Sequence, residues 1–331
     1  MAPYGPLLDV ASLRTEFRSR RGPVLAVNDV SFQVDAGEIV GVVGESGSGK
    51  STIALSLLRL IPDPPGRITG GSVRFKGRDL LALDEGQMRR VRGDEIAMIF
   101  EDPMTSLNPM IRIRRQMTEG LRLHLGLSKD AALARAIEML RLVGIPAAEE
   151  RIHQYPHQLS GGMRQRVVIA IALSCNPELV LADEPTTALD VTIQAQILEL
   201  MRQVMRERNA AVLLITHDLG VVAGMCDRVL VMYAGRIVEQ APRRTIFYNP
   251  RHPYTIGLLK SVPRLEGERA ARLPQIEGSP PDLSRPPSGC PFHPRCPFAT
   301  AVCREVVPPL RGLEDGHMVA CHHDVSREDA A

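Results

Sequence analysis

The chain has 331 residues, 44% of them hydrophobic, and 40 basic side chains against 38 acidic ones leave a net charge of +2. That length allows two domains with a sizeable core, and the near-neutral balance leaves no electrostatic footprint for nucleic acid. No apolar run approaches the roughly 18 residues that cross a bilayer, and Met1–Pro6 lacks the basic and apolar regions of a secretion signal.

Residues 7 to 37 alternate apolar and polar, as in Leu8-Asp9-Val10 and Val30-Ser31-Phe32-Gln33-Val34, which predicts an antiparallel sheet. The apolar run Ile39-Val40-Gly41-Val42-Val43 then predicts a buried strand. It leads directly into Gly44-Glu45-Ser46-Gly47-Ser48-Gly49-Lys50-Ser51-Thr52, which contains G-x-x-x-x-G-K-S. Strand, glycine-rich turn and helix in that order make a phosphate-binding loop. The glycines let successive N–H groups face an anion, and the following helix adds its positive end. Lys50 can reach the β- and γ-phosphates of a nucleoside triphosphate, and Ser51 can offer its hydroxyl to Mg²⁺.

Two helices are expected over Arg114–Leu125 and Lys129–Val143, the second capped by Ser128 and stopped by Gly144-Ile145-Pro146. Leu159-Ser160-Gly161-Gly162 predicts another helix start, with Ser160 as N-cap and two glycines that leave first-turn amides exposed. One nucleotide does not need two phosphate cradles in one chain, so the second is expected to close on a nucleotide held by a partner. Leu179-Val180-Leu181-Ala182 reads as a buried parallel strand carrying Asp183 and Glu184 to its C-terminal edge, where α/β sheets place ligands. Asp183 suits Mg²⁺, and Glu184 suits a general base acting on water. Val191–Arg208 predicts an amphipathic helix, Ala211–Ile215 a strand ending in Thr216-His217-Asp218, and Val229–Glu239 a closing hairpin.

In this order the motifs resemble the ATP-binding cassette (ABC) family over residues 7 to 245, with Leu159-Ser160-Gly161-Gly162 as its signature. The resemblance implies an α/β fold with a P-loop core on a mixed sheet, an antiparallel β subdomain, and a helical subdomain at about 104–160. It implies that His217 is the switch histidine on the γ-phosphate and that Thr187-Ala188-Leu189-Asp190 is the D-loop of a dimer interface. Phe17 would stack on adenine, with a core aromatic as the alternative. By the resemblance Glu101 occupies the Q-loop position, where the family usually carries glutamine near Mg²⁺ and the attacking water. Glutamate keeps acceptor oxygens but loses the amide donors and adds charge, so retuned Mg²⁺ dependence is expected rather than a dead site.

After residue 245 the sequence is Pro-rich and is expected to be nearly sheetless, beginning with a short helix near Asn249–Thr255. This tail, residues 246–331, resembles the C-terminal region of ATPase subunits of dipeptide/oligopeptide/nickel importers, most like the dipeptide type. Asp102-Pro103-Met104-Thr105-Ser106-Leu107-Asn108-Pro109 points the same way. The resemblance implies a peripheral protein on the cytoplasmic face of the membrane. Its expected partners are a second ATPase subunit (a heterodimer favoured over a homodimer), two permeases and a solute-binding protein. Nickel or another small solute is the alternative cargo. A soluble ABC ATPase is the competing class, but that class usually carries two cassettes or a long coiled-coil insertion.

Cys290, Cys296, Cys303 and Cys321 form a C-x5-C-x6-C-x17-C pattern in the tail. Clustered thiols in a reducing compartment suggest a metal site, and the spacing suits zinc and an iron–sulfur centre equally. His293, His317, His322 and His323 leave mixed ligation open, while the family resemblance implies a [4Fe–4S] cluster with a structural role. Cys175 and Cys226 lie in apolar or helical contexts and read as small buried residues.

Overall fold

The computed structural model describes residues 5–186, 190–261 and 276–326. Met1–Tyr4, which carry most of the expected non-secretory start, and Thr187–Leu189 of the expected D-loop lie outside the described residues. The described chain divides into two compact units. The first, here the P-loop unit, gathers residues from Pro6–Gln33, Ile39–Leu81 and Ile215 onward. The second, here the signature unit, gathers Val34–Glu38 and Ala82–Leu214.

The P-loop unit contains the expected antiparallel sheet, in the order Gly22–Val34, Leu8–Ser19, Gly66–Phe75, Arg78–Asp79. Leu8 pairs with Phe75 and Phe17 with Gly66, with register shifts around Ala11–Thr15. Leu8, Val10, Leu13 and Thr15 are buried. Thr15 spends its hydroxyl on the buried Ser56 Oγ, 2.8 Å away on the helix Lys50–Leu57, so a satisfied polar contact ties sheet to helix.

The same unit holds five further strands, in the order Arg311–Gly312, Met318–Val319, Arg236–Pro242, Arg228–Tyr233, Ile39–Val43. Ile39–Val43 is buried throughout, as its unbroken apolar run requires, and runs parallel to Arg228–Tyr233 with Val43 level with Val231. The Asp227 carboxylate accepts the Ile39 N–H at 2.9 Å and fixes where that strand begins. The Pro-rich tail is less sheetless than expected. Met318–Val319 pairs with Glu239–Gln240, and Arg311–Gly312 pairs with Met318–Val319 in turn. The first tail helix is Pro253–Lys260, a few residues later than expected, because Pro253 takes the first helical position and His252 Nδ1 caps the Tyr254 N–H at 3.1 Å.

In the signature unit Ile96–Ile99 pairs in parallel with Leu179–Asp183, whose other neighbour is Ala211–Ile215. The helices Ile113–His124, Lys129–Leu142 and Gly161–Leu173 pack on one another. Their ends obey local chemistry: Ser128 Oγ accepts the Ala131 N–H at 3.2 Å, and Gly144 takes φ 72° where the chain stops being helical. The helix Val191–Arg208 starts on Asp190, which accepts the Ile193 N–H at 2.9 Å. Among the described residues no helix is long and apolar enough to cross a membrane.

Candidate functional site

The phosphate-binding loop leaves the buried strand Ile39–Val43 and turns within six residues into the helix Lys50–Leu57. Two of its glycines are required by packing. A Cβ on Gly44 would lie 2.1 Å from the Met232 carbonyl oxygen, and one on Gly49 would lie 2.0 Å from that of Ala26. Gly49 also has φ 101°, a left-handed conformation at the helix start. Lys50 is buried, and its Nζ donates to the carbonyls of Gly44 at 2.9 Å and Glu45 at 3.0 Å, so the ammonium sits beneath the loop. Ser48 is buried with an Oγ that has no partner. A buried hydroxyl with no partner among the described residues, in the same loop as a buried lysine, suits an anion. Ser46, Gly47 and Ser51 are exposed and Thr52 is half-buried.

His217 stands on an exposed bend of this unit. The preceding Thr216 donates its N–H to Val42 O at 3.2 Å, so the histidine follows a residue tied to the strand that feeds the loop. Phe17 is half-buried and packs on Gly66, where a Cβ would come within 2.7 Å of the ring. That contact serves the sheet.

In the signature unit the register sets Ile99 opposite Ala182, so Glu101 and the pair Asp183–Glu184 leave the same edge of two neighbouring parallel strands. Asp183 is buried and Glu184 half-buried. Glu184 has φ 44°, a conformation costing a residue other than Gly, Asn or Asp about 1 kcal/mol or more, and such strain collects at functional positions. Gln165, buried on the helix Gly161–Leu173, holds the carbonyl of Pro185 at 2.6 Å and so fixes the turn after Glu184. Ser160 caps that helix by accepting the Met163 N–H at 3.3 Å, and Ser160 and Gly161 are exposed with Gly162 half-exposed. A Cβ on Gly161 would meet nothing within 4 Å. The helix start therefore leaves its first turn open to solvent.

Similarity to known proteins matches this geometry. The profile of the ABC transporter family matches residues 27–187, and that of the oligopeptide/dipeptide transporter C-terminal region matches residues 238–303. The probable peptide ABC transporter ATP-binding protein y4tR of Sinorhizobium fredii is 55% identical over 95% of this chain and 94% of its own length. The oligopeptide transport ATP-binding protein OppD of Salmonella typhimurium is 53% identical over 98% and 95%. This chain belongs to the ABC transporter ATP-binding proteins of the oligopeptide/dipeptide type. In fold the ABC protein is similar to the dimeric post-hydrolysis cassette MJ0796 bound to ADP and Pi, with TM-score 0.65 and 28% identity over 72% of this chain and 99% of that one. The relatives quoted carry peptide and oligopeptide names, so the dipeptide type is not singled out within this group.

The tail of this ABC ATPase does bring Cys290, Cys296, Cys303 and Cys321 to one small cavity, with His252, His293, His322 and His323 among its walls. His317 is elsewhere, bonded at 2.7 Å to the buried Glu239 carboxylate. The donor types suit a metal, and the space they enclose is small. The cavity encloses about 10 Å³, no more than a single water needs. Burial pushes the Cys290 and Cys296 thiols up to about 11 and raises Cys321 as well. His323 Nε2 lies 3.4 Å from Cys303 Sγ. Among the described residues no group of three His, Cys, Asp or Glu is arranged as a metal site. The expected cluster, or zinc in its place, is not supported by this arrangement. Cys175 and Cys226 are buried as expected; burial pushes Cys226 up to about 12.

Three residues close to these sites were not singled out by sequence. Gln165 was visible only as part of the signature helix. Tyr254 and Arg295 carry no motif; both touch Glu45, 209 and 250 positions away, and only the folded tail brings them there.

Proposed function

We propose that this chain is the ATP-hydrolysing subunit that powers import of di- or oligopeptides through a pair of membrane permeases. The reading is supported by two helix starts in one chain whose local chemistry suits phosphate, the Gly44–Ser51 loop and the exposed start at Ser160–Gly162. The second has no nucleotide of its own to serve unless a partner supplies it. The peptide and oligopeptide names of the relatives and the match of the tail support the cargo class.

In this reading residues 7–245 form the cassette and 246–331 a C-terminal region particular to peptide importers. Gly44 to Thr52 hold the triphosphate, with Lys50 leaving the carbonyls of Gly44 and Glu45 for the β- and γ-phosphates. Ser51, Asp183 and Glu101 are assigned to Mg²⁺, which supplies charge neutralisation on the phosphates when bound. Glu184 orients and deprotonates the attacking water, and its strained backbone aims the carboxylate. His217 contacts the γ-phosphate, while Ser160, Gly161, Gly162 and Asp190 serve the nucleotide of the partner. Phe17 takes the adenine ring. The exposed Met104 and Met110, in the segment after Glu101, are surfaces for a permease. A second, different ATPase subunit and a solute-binding protein complete the machine at the cytoplasmic face of the membrane.

The finer assignment of Cys290, Cys296, Cys303 and Cys321 is a structural [4Fe–4S] centre, which needs more room than the cavity now has, or a zinc ion in its place. Iron, sulfide and zinc content of anaerobically prepared protein, with its visible absorption, tests this. Metal-free protein with native stability rejects it.

A mild-detergent pull-down of the Glu184→Gln chain from native membranes in ATP tests the main reading. It should retain nucleotide without turnover and bring two polytopic permeases with a second ATPase. Recovery without permeases rejects the importer.

A further inference from the structure

Glu45, the second residue of the phosphate loop, is held by the tail from two sides. Its carboxylate accepts a bidentate pair from Arg295, Nη1 to Oε2 at 2.6 Å and Nη2 to Oε1 at 3.0 Å. Its backbone N–H donates to the hydroxyl of Tyr254 at 2.8 Å. The Glu45 carbonyl meanwhile accepts Lys50 Nζ at 3.0 Å, so one residue joins the tail to the lysine under the nucleotide site.

The arginine is built in rather than resting on a surface. Its side chain is 5% exposed, against 25% for Glu45. Its remaining N–H groups go to the carbonyls of Glu277 at 2.9 Å and Ile276 at 3.2 Å and to Tyr233 Oη at 3.4 Å. The guanidinium lies 5.9 Å from the ring centre of Tyr233 and 6.0 Å from that of Phe292. Tyr233, Tyr254 and Phe292 pack together, with centroids 4.5 to 5.4 Å apart. Tyr254 is fully buried, and burial pushes its phenol well above the usual range, so it stays neutral and its oxygen accepts. A fork of planar donors on a carboxylate in such a setting is stiff and directional.

A carboxylate in a phosphate loop is otherwise a liability, because it repels a polyanionic nucleotide. We infer that Arg295, supported by Tyr254, is a positioning residue for nucleotide binding. It neutralises Glu45, fixes the start of the loop, and thereby makes ATP affinity depend on how the C-terminal region is folded. The inference rests on the assignment of Gly44–Ser51 as the nucleotide site. It predicts that removing the arginine alone harms binding more than removing both partners, since the lone arginine deletion leaves a half-buried, unneutralised carboxylate within the phosphate loop.

The test measures Kd for ATP–Mg²⁺ on the full-length chain by displacement of a fluorescent ATP analogue, with thermal melting alongside. Lys50→Ala comes first: if it binds as the native chain does, the nucleotide-site assignment itself fails, whatever Arg295 does. With that control behaving, Arg295→Met should weaken affinity by about tenfold or more, and adding Glu45→Gln should return it to within about threefold of native. Arg295→Lys, which keeps charge but not the fork, should fall between. Unchanged affinity in Arg295→Met, or no recovery in the double variant, overturns the inference. Should Arg295→Met not fold, the double variant and Arg295→Lys decide. Near-native affinity in the first with weakened affinity in the second supports it, and any other pattern overturns it.

Discussion

Gly49→Ala, set against Gly47→Ala, is the sharpest test of the loop geometry. Both positions have positive φ, 101° for Gly49 and 77° for Gly47, so alanine carries a conformational cost of about 1–2 kcal/mol at either. They differ in surroundings. A Cβ at Gly47 meets nothing within 4 Å, whereas at Gly49 it falls 2.0 Å from the Ala26 carbonyl oxygen and 2.8 Å from Met232 Cε. The methionine end can swing away, but the Ala26 carbonyl belongs to the strand Gly22–Val34. Relief therefore needs a backbone shift of roughly an ångström, adding about 2 kcal/mol or more, at the upper range of overpacking costs. The expected outcome in urea unfolding of the nucleotide-free chain is a loss near 1 kcal/mol for Gly47→Ala and at least about 3 kcal/mol for Gly49→Ala. Measuring without nucleotide matters, because both glycines belong to the loop assigned to the phosphates. Equal losses in the two variants, to within about 0.5 kcal/mol, would refute the claim that the Ala26 contact fixes the loop.

Glu101→Gln restores amide donors at the edge shared with Asp183, so the Mg²⁺ concentration at half-maximal ATP turnover should shift at least about twofold; superimposable Mg²⁺ curves would remove the residue from the metal's surroundings. Ser160→Ala removes the acceptor of the Met163 N–H and should cost about 1 kcal/mol of stability, while ATP turnover in the assembled complex falls by more than about tenfold; turnover that tracks stability alone would make Ser160 a cap and nothing more. His252 is fully buried, and burial pushes its imidazole down to about 4. An unfolded histidine near 6.5 takes up its proton first, so folded stability is intact above that pH and declines as pH falls toward 4, by up to about 3 kcal/mol. His252→Asn, which can still cap Tyr254, should flatten that slope in melting curves between pH 7 and 4.5, and an unaltered slope would assign the acid sensitivity to other groups.

Much of the signature unit was legible because its signals are local. The helix Lys129–Leu142 lies within one residue of its expected span since Ser128 and Gly144 act on their own neighbours. The helix Val191–Arg208 begins and ends where Asp190 and Asn209 dictate. The strands Ile39–Val43 and Leu179–Asp183 were visible because a strand covered on both faces needs an unbroken apolar run. The tail was less readable. The strand Met318–Val319 has two residues and no periodicity, and it exists because the edge of Arg236–Pro242 offers it partners. The cysteines were legible only in part. Their clustering correctly brought four thiols to one cavity, yet spacing says nothing of volume, and about 10 Å³ is what the packing leaves.

Order and chemistry along the chain determined the family, the glycine-rich loop, the acidic strand edge and the capped helix start at Ser160, because each is a run of a few residues whose backbone and side chains act on one another. The tertiary structure alone decided that Glu184 would be strained, that Gln165 would grip Pro185, and that Arg295 and Tyr254 would close on Glu45. Those contacts join residues 20 to 250 positions apart. No local pattern encodes them, since they depend on where whole strands and helices come to rest when the apolar core closes.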